Sequence, residues 1–253
     1  MDDTTPVLIT ALTEIADDHL ILGHRLSEWC GHAPMLEEDL SMPNMALDLI
    51  GQARQLYSYA VDLEGQQRSE DDLAYLRNDR EYRNCLLVEK GNVDFAHAML
   101  RQFYFAAYMK PFWQGCLHSQ DESIAAIAGK AVKEISYHIR HCGEWIIRLG
   151  DGTEESAAKM HSAVQVLHPY TEELFTVDSG RQQLIDAGVF PAIEDVRNAW
   201  NNTLNHVFAE ANLPVPEIEF PLSGGRDGRH TEEFGYLLAE LQYMQRSYPG
   251  AEW

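Results

Sequence analysis

Apolar residues recur along most of this chain with spacings that alternate between four and three, which is the period of one face of an α-helix. One stripe predicts a helix over about residues 8–29, with Leu8, Leu12, Ile15, His19, Leu22, Leu26 and Trp29. The next predicts a helix over about residues 42–63, with Met42, Ala46, Leu49, Ala53, Leu56, Ala60 and Leu63. Pro43 would then lie in the first turn of the second helix, where proline is tolerated.

The remaining patterns are also helical. A short helix is predicted at about residues 71–77, a third long helix at about 93–117, where Pro111 could kink it, and a fourth at about 121–149. Three more are predicted at about 154–175, with a break near Pro169, at 193–211 and at 232–247. Residues 212–230 are rich in proline and glycine, and we expect an extended arm on a surface or across an interface.

No segment shows the alternation of a half-buried strand, so the expected fold is all-α. The prediction is a four-helix bundle over about residues 5–150, with additional C-terminal helices and the extended arm over about 151–253, in a single domain of residues 1–253.

Charge and composition exclude several classes of binding partner and indicate a location. The 40 Asp and Glu residues outnumber the 19 Lys and Arg residues, and the net charge of −21 repels nucleic acid and anionic membranes but suits a basic protein partner. The four cysteines are scattered, as buried reduced thiols would be. No signal peptide and no uncharged run of the roughly 18 residues that a membrane span needs are found, so we expect a cytoplasmic protein.

A long four-helix bundle invites a test for a diiron carboxylate site, which needs one Glu on each of two helices and Glu-x-x-His on each of the others. No glutamate in the chain has a histidine three residues later. The second helix has Asp48 followed by Gly51 instead, and the fourth has Glu134 followed by Tyr137, with His138 one position late. These positions form at most a degenerate site.

The Glu134/His138 pair has two interpretations. Residues four apart share a helix face, so the pair could be half of a metal or acid–base site, or Glu134 could orient a core histidine through a hydrogen bond. The first helix has His19 at its central position, and the third has Gln102 and Lys110 as polar candidates. We expect Lys110 to replace a metal's positive charge by pairing with Glu134 or Asp48.

The glycine-rich loop at residues 223–229 offers a different chemistry. Its backbone and its two arginines, Arg226 and Arg229, could cradle an anion, although a mobile loop is the commoner explanation of such a sequence. Dinucleotide, P-loop, hydrolase-elbow and zincin motifs are all missing from the sequence.

Three blocks carry a family resemblance: HRLSEWCGHAPMLEEDLSMPNMALDLIGQARQLYSYA (24–60), AVKEISYHIRH (131–141) and GRHTEEFGYLLAELQYMQRSYPGAEW (228–253). They resemble the C-subunit family of the bacterial phenylacetyl-CoA epoxidase, a multicomponent monooxygenase of aerobic phenylacetate degradation. The resemblance implies a ferritin-like fold and a structural subunit without a working metal site. Its partner would be the A subunit, which holds the diiron centre and the CoA thioester, and other subunits would join them. A reductase with FAD, an iron–sulfur cluster and NADPH would supply electrons.

Three functions therefore compete. The first is a noncatalytic structural subunit of the epoxidase, with no catalytic, cofactor-binding or metal-binding residues of its own; His19, Asp48, Lys110, Glu134 and His138 mark its degenerate site. The second is a diiron carboxylate oxygenase active in its own right. The third is a helical module that binds a CoA ester at the Arg226/Arg229 loop.

Overall fold

The all-α prediction is confirmed. The computed structural model of the chain describes residues 4–251, and these form eleven α-helices and no β-strand. The helices are α1 (Thr5–Ser27), α2 (Leu36–Glu64), α3 (Glu70–Tyr75), α4 (Leu86–Glu89), α5 (Phe95–Cys116), α6 (Glu122–Gly150), α7 (Glu154–Leu167), α8 (Ser179–Asp186), α9 (Ile193–Glu210), α10 (Glu232–Leu241) and α11 (Tyr243–Ser247). Four of them, α1, α2, α5 and α6, are the long helices expected of a ferritin-like fold, and the shorter helices after α6 are the additional ones.

Pro43, expected in the first turn of its helix, and Pro111, expected inside a helix that it could kink, both lie in helix interiors. Because α2 begins at Leu36, Pro43 is an interior residue and not part of the first turn. Likewise α5 continues past Pro111 to Cys116. Proline removes one backbone donor from a helix, but the neighbouring turns and the surrounding packing can still hold the helix together. The break near Pro169 is present, since α7 ends at Leu167 and a 3-10 helix covers His168–Phe175.

The chain divides into two compact units. The first contains the segment up to His32, Asp39–Gly91 and the segment from Ser223 onward, and the second contains Ala33–Glu38 and Asn92–Leu222. In the second unit α6 packs with α5, α7 and α9, so residue 150 lies inside that unit. The assignment of residues 1–253 to a single domain stays a prediction.

In the first unit, α1 packs closely on α2. A Cβ atom added at Gly23 would lie 2.8 Å from Cγ1 of Ile50 and 3.2 Å from the carbonyl oxygen of Ala46. Glycine therefore allows the two helices to approach at this point. Beside it, α1 buries two carboxylates completely, Asp17 and Asp18.

In the second unit, α5 is the central helix and is buried on nearly all sides. Trp200 of α9 donates a hydrogen bond from its indole Nε1 to the carbonyl oxygen of Tyr104, at 3.1 Å. Two of the helices, α5 and α6, begin at conventional caps: Asp94 and Asp121 each accept a bond of 2.9 Å from a backbone N–H three residues later. Within residues 4–251, no helix is both long and apolar enough to traverse a lipid bilayer.

Candidate functional site

The five positions predicted as a degenerate site are distributed over both units. His19 and Asp48 belong to the first unit, and Lys110, Glu134 and His138 belong to the second. Each group is therefore considered within its own unit.

In the first unit, α1 and α2 supply one histidine and one carboxylate. His19 is fully buried, and its Nδ1–H donates to the carbonyl oxygen of Ile15 at 2.6 Å, so one ring nitrogen is occupied by the helix's own backbone. Asp48 is half-buried. One turn further, a Cβ atom added at Gly51 would meet no other atom within 4 Å. Gly51, which lies three residues after Asp48 where a Glu-x-x-His motif would have its histidine, therefore supplies no nitrogen ligand.

In the second unit, His138 and Glu134 differ in environment although one helical turn joins them. His138 is fully buried, and its Nδ1 lies 3.0 Å from Nε2 of Gln102 on α5. The Gln102 amide donates in this arrangement, so Nδ1 accepts and a neutral ring carries its proton on Nε2. Glu134 lies at the edge of the core and forms an ion pair with Lys130 of the same helix at 3.4 Å.

The ion pair predicted between Lys110 and either Glu134 or Asp48 is not formed within residues 4–251, where Glu134 pairs with Lys130. Lys110 is half-exposed, and within residues 4–251 its ammonium group takes part in no ion pair. Water can hydrate the Lys110 ammonium group at the edge of the core, so its charge does not require a buried carboxylate as a partner.

A second histidine on α6 forms a contact that the sequence did not indicate. Nε2 of His141 lies 2.8 Å from a carboxylate oxygen of Glu38, and both side chains are largely buried. The Tyr137 ring stacks on the His141 ring. Burial raises the pKa of the neighbouring Cys142 thiol, and the Glu38 carboxylate raises it further. Glu38 and His141 are 103 positions apart, so helical periodicity could not have related them.

The donor set for a diiron centre is incomplete. Such a centre takes about four carboxylates and two histidines from facing helices. Within the part of the chain that the structure describes, no three His, Cys, Asp or Glu side chains form a group that could hold a metal ion. The residues therefore do not fit a diiron centre, and the metal-free state of the chain stays a prediction.

Two buried carboxylates of the first unit, Asp17 and Asp18, are paired with arginines. Asp17 accepts hydrogen bonds from the Tyr57 hydroxyl, from the Arg77 guanidinium and, at 2.7 Å, from the backbone N–H of Arg83. Burial raises the pKa of Tyr57, and the Asp17 carboxylate raises it further, so the hydroxyl stays protonated as the donor. A cation does neutralise buried charge in this protein, but it comes from an arginine on a connecting segment and not from Lys110.

The second buried pair joins Asp18 to Arg226 of the glycine-rich loop. The two guanidinium nitrogens lie 2.6 and 3.1 Å from the Asp18 oxygens, and one of them also donates to the carbonyl oxygen of Arg83 at 2.7 Å. Burial alone would lower the pKa of Arg226, but the Asp18 carboxylate holds it above its ordinary value. The backbone N–H of Cys85 donates to Asp18 at 2.7 Å.

This geometry corrects the anion-cradle hypothesis. Arg226 points into the first unit and is engaged there, so it is not available to a CoA ester. Arg229 is exposed and pairs with Asp227 at 2.6 Å. Of the two arginines that could have cradled an anion, Arg226 is a structural residue because its charge balances Asp18.

A third buried carboxylate, Glu89, holds the segment that precedes α10. It lies 2.8 Å from Nδ1 of His230 and accepts bonds from the backbone N–H of Thr231 at 2.6 Å and from the Asn84 amide at 2.9 Å. Nearby, Glu233 accepts from the Lys90 ammonium and from the backbone N–H of Gly91. The polar side chains buried in this unit thus hold distant segments together.

Comparison with known proteins gives two findings. The sequence model of a family described as phenylacetic acid catabolic protein matches residues 1–253, the whole chain. The C subunit of the 1,2-phenylacetyl-CoA epoxidase of Escherichia coli (strain K12) is 42% identical over 246 residues, which cover 97% of this chain and 99% of that protein.

Proposed function

The chain belongs to the phenylacetic acid catabolic protein family, and from this premise we propose that it is a noncatalytic structural subunit of a phenylacetyl-CoA 1,2-epoxidase. In this proposal it binds the diiron catalytic A subunit and supports it during aerobic phenylacetate degradation. The similarity to the C subunit of an epoxidase over nearly the whole of both chains supports the assignment to such a complex.

The observation that carries the noncatalytic role is the use of the polar side chains at the predicted site. The Gln102 amide engages His138, the Ile15 carbonyl engages His19, and Lys130 pairs with Glu134. Contacts of this kind hold the side chains in place, and among the described residues no three His, Cys, Asp or Glu side chains form a group that could hold a metal. The rigid helices would then hold the active-site helices of the A subunit in place from outside, which is a form of preorganisation.

The chemistry would belong to the other components. We assign the iron to the A subunit and the FAD, iron–sulfur cluster and NADPH to a reductase, with no cofactor in this chain and a cytoplasmic location for the complex. Further subunits of the complex are also expected to contact it.

Metal content tests this proposal directly. The chain is purified alone after expression with iron supplied, then reconstituted with the A subunit, and iron is measured by mass spectrometry. We expect the lone chain to be iron-free and the complex to contain iron in proportion to the A subunit. His138→Ala is the matched variant, and it should leave the iron content of the complex unchanged.

The alternative function is a diiron oxygenase that uses Glu134, His138 and Asp48 as ligands. It predicts roughly two irons per lone chain and loss of that iron in His138→Ala. Near-stoichiometric iron in the lone chain would overturn the structural role.

A further inference from the structure

The outer side of α10 and α11 presents a stripe of exposed aromatic and acidic side chains. We call it the tyrosine stripe, and its members are Glu232, Tyr236, Glu240, Tyr243 and Met244. Tyr236 is 70% exposed and Tyr243 is 61% exposed, whereas tyrosine is a residue of intermediate burial in folded proteins. Three of the four exposed tyrosines in residues 4–251 lie between positions 236 and 248. Such a concentration on one short segment is typical of a protein-binding surface.

The charge of the stripe has one sign. Glu232 and Glu240 are exposed beside the tyrosines, and the Tyr236 hydroxyl donates to Glu232 at 3.4 Å. No lysine occurs between residues 231 and 251. Arg246 of α11 donates to the carbonyl oxygen of Arg77 at 2.9 Å, and the Lys90 ammonium pairs with Glu233. The stripe therefore favours a cationic partner and repels a second copy of this acidic chain.

The underside of the stripe is firmly held. Phe234, Leu237 and Leu238 are buried, and the Phe234 ring stacks on His230 with ring centroids 4.1 Å apart. Gln242 at the end of α10 donates to the carbonyl oxygen of Arg77 at 2.7 Å. Because the backbone is already ordered in the free protein, a partner would lose little affinity to the ordering of this surface.

We infer that the tyrosine stripe is a docking surface for an arginine- and lysine-bearing segment of the catalytic partner subunit. Guanidinium groups bind carboxylates through paired hydrogen bonds and stack on tyrosine rings. The glutamates and tyrosines of the stripe therefore offer an arginine both kinds of contact. Rigid tyrosines are also among the residues that carry most of the energy of protein interfaces. The inference rests on the proposed function, since it takes the A subunit as the partner.

Binding of the A subunit tests the inference. The dissociation constant is measured with the full chain as wild type and as Tyr236→Ala/Tyr243→Ala, with Tyr137→Ala, which truncates the fourth exposed tyrosine, as the matched control. We expect the double variant to weaken binding at least about tenfold and the control to bind as wild type does. Glu232→Gln/Glu240→Gln should make binding less dependent on salt, whereas Glu219→Gln in the extended arm should not.

Hydrogen exchange on the wild-type complex gives a second readout that needs no variant. Slower exchange at residues 232–247 on binding is expected, and unchanged exchange there would overturn the inference even if a variant failed to fold. Equal affinity of the folded double variant and the wild type would overturn it as well. If the wild-type chain does not bind the A subunit at all, the proposed function fails, and the inference fails with it.

Discussion

At the scale of single residues, the buried ion pair of Asp18 and Arg226 is the interaction of the first unit that we expect to tolerate substitution least. A buried ion pair contributes little net stability compared with apolar residues of the same shape, but removal of one partner leaves an uncompensated charge. Arg226→Ala should therefore lower the free energy of unfolding by about 3–5 kcal/mol in urea titrations. Arg229→Ala is the matched control, because its pair is exposed, and should change stability by less than about 0.5 kcal/mol. Equal effects of the two variants would contradict the buried role.

His138 is expected to act through structure alone. His138→Ala removes the acceptor of the buried Gln102 amide and leaves a cavity, so it should cost about 1–3 kcal/mol of stability. In the reconstituted complex, turnover per folded A subunit should stay unchanged. A variant of normal stability without turnover would instead indicate a part in the chemistry.

His24 should make the free energy of unfolding depend on pH. Burial lowers the pKa of His24 from the ordinary value of 6.5 to about 4. Between these values the unfolded chain binds a proton that the folded chain does not, so this contribution is complete above pH 6.5 and is lost as the pH falls towards 4. Urea titrations from pH 7 to 4.5 should show a loss of up to about 3 kcal/mol from this group. The loss should be smaller in His24→Gln and unchanged in His161→Gln, where the ring is exposed; parallel curves for all three proteins would refute the assignment.

At the scale of secondary structure, Gly129 and Gly225 differ in the space that each leaves for a side chain. A Cβ atom at Gly129 of α6 would meet nothing within 4 Å, whereas one at Gly225 would overlap the Asn84 carbonyl oxygen. Gly129→Ala should therefore stabilise the protein by about 0.5–1 kcal/mol through helix propensity. Gly225→Ala should destabilise it by about 1–3 kcal/mol. Thermal melts of both variants check the opposite signs.

Periodicity predicted α6 most directly, because this helix buries one face at a spacing of three and four residues, whereas α5 is buried on nearly all sides. It placed α6 within one residue at each end. The beginning of α2 was missed by six residues, because Leu36 and Leu40 are exposed and so lie off the apolar stripe. The helix α4, with four residues, is too short to show any period.

The contacts at the candidate site were harder to predict from the sequence than the helices, because they join residues that are far apart along the chain. The glycine-rich sequence around Arg226 indicates a loop, but its local composition says nothing about Asp18, which is 208 positions away. In the same way, the donor count on α2 and α6 followed from spacing alone, whereas the contacts of Gln102 and Glu38 depend on how helices pack. Sequence patterns show which face of a helix is apolar, and only the packed structure shows what that face meets.

At the scale of the whole molecule, the net charge of −21 acts on the folded state. Excess negative charge destabilises a compact chain by self-repulsion, and salt screens exposed charges more than buried pairs such as Asp18 and Arg226. Raising NaCl from about 20 to about 200 mM should therefore stabilise the lone chain by about 1 kcal/mol. KCl should give the same curve, since ionic strength is the cause, and a loss of stability with either salt would contradict the prediction.

The pairing of α1 with the C-terminal segment also has a consequence for biosynthesis. A ribosome makes Arg226 208 positions after Asp18, and it makes His230 and Thr231 141 and 142 positions after their partner Glu89. Until the C-terminal segment has left the exit tunnel, the first unit cannot complete its core, although the helices of the second unit are already available. A chain that terminates before Arg226 would keep an unbalanced buried carboxylate and would be more open to proteolysis than a chain that contains this segment.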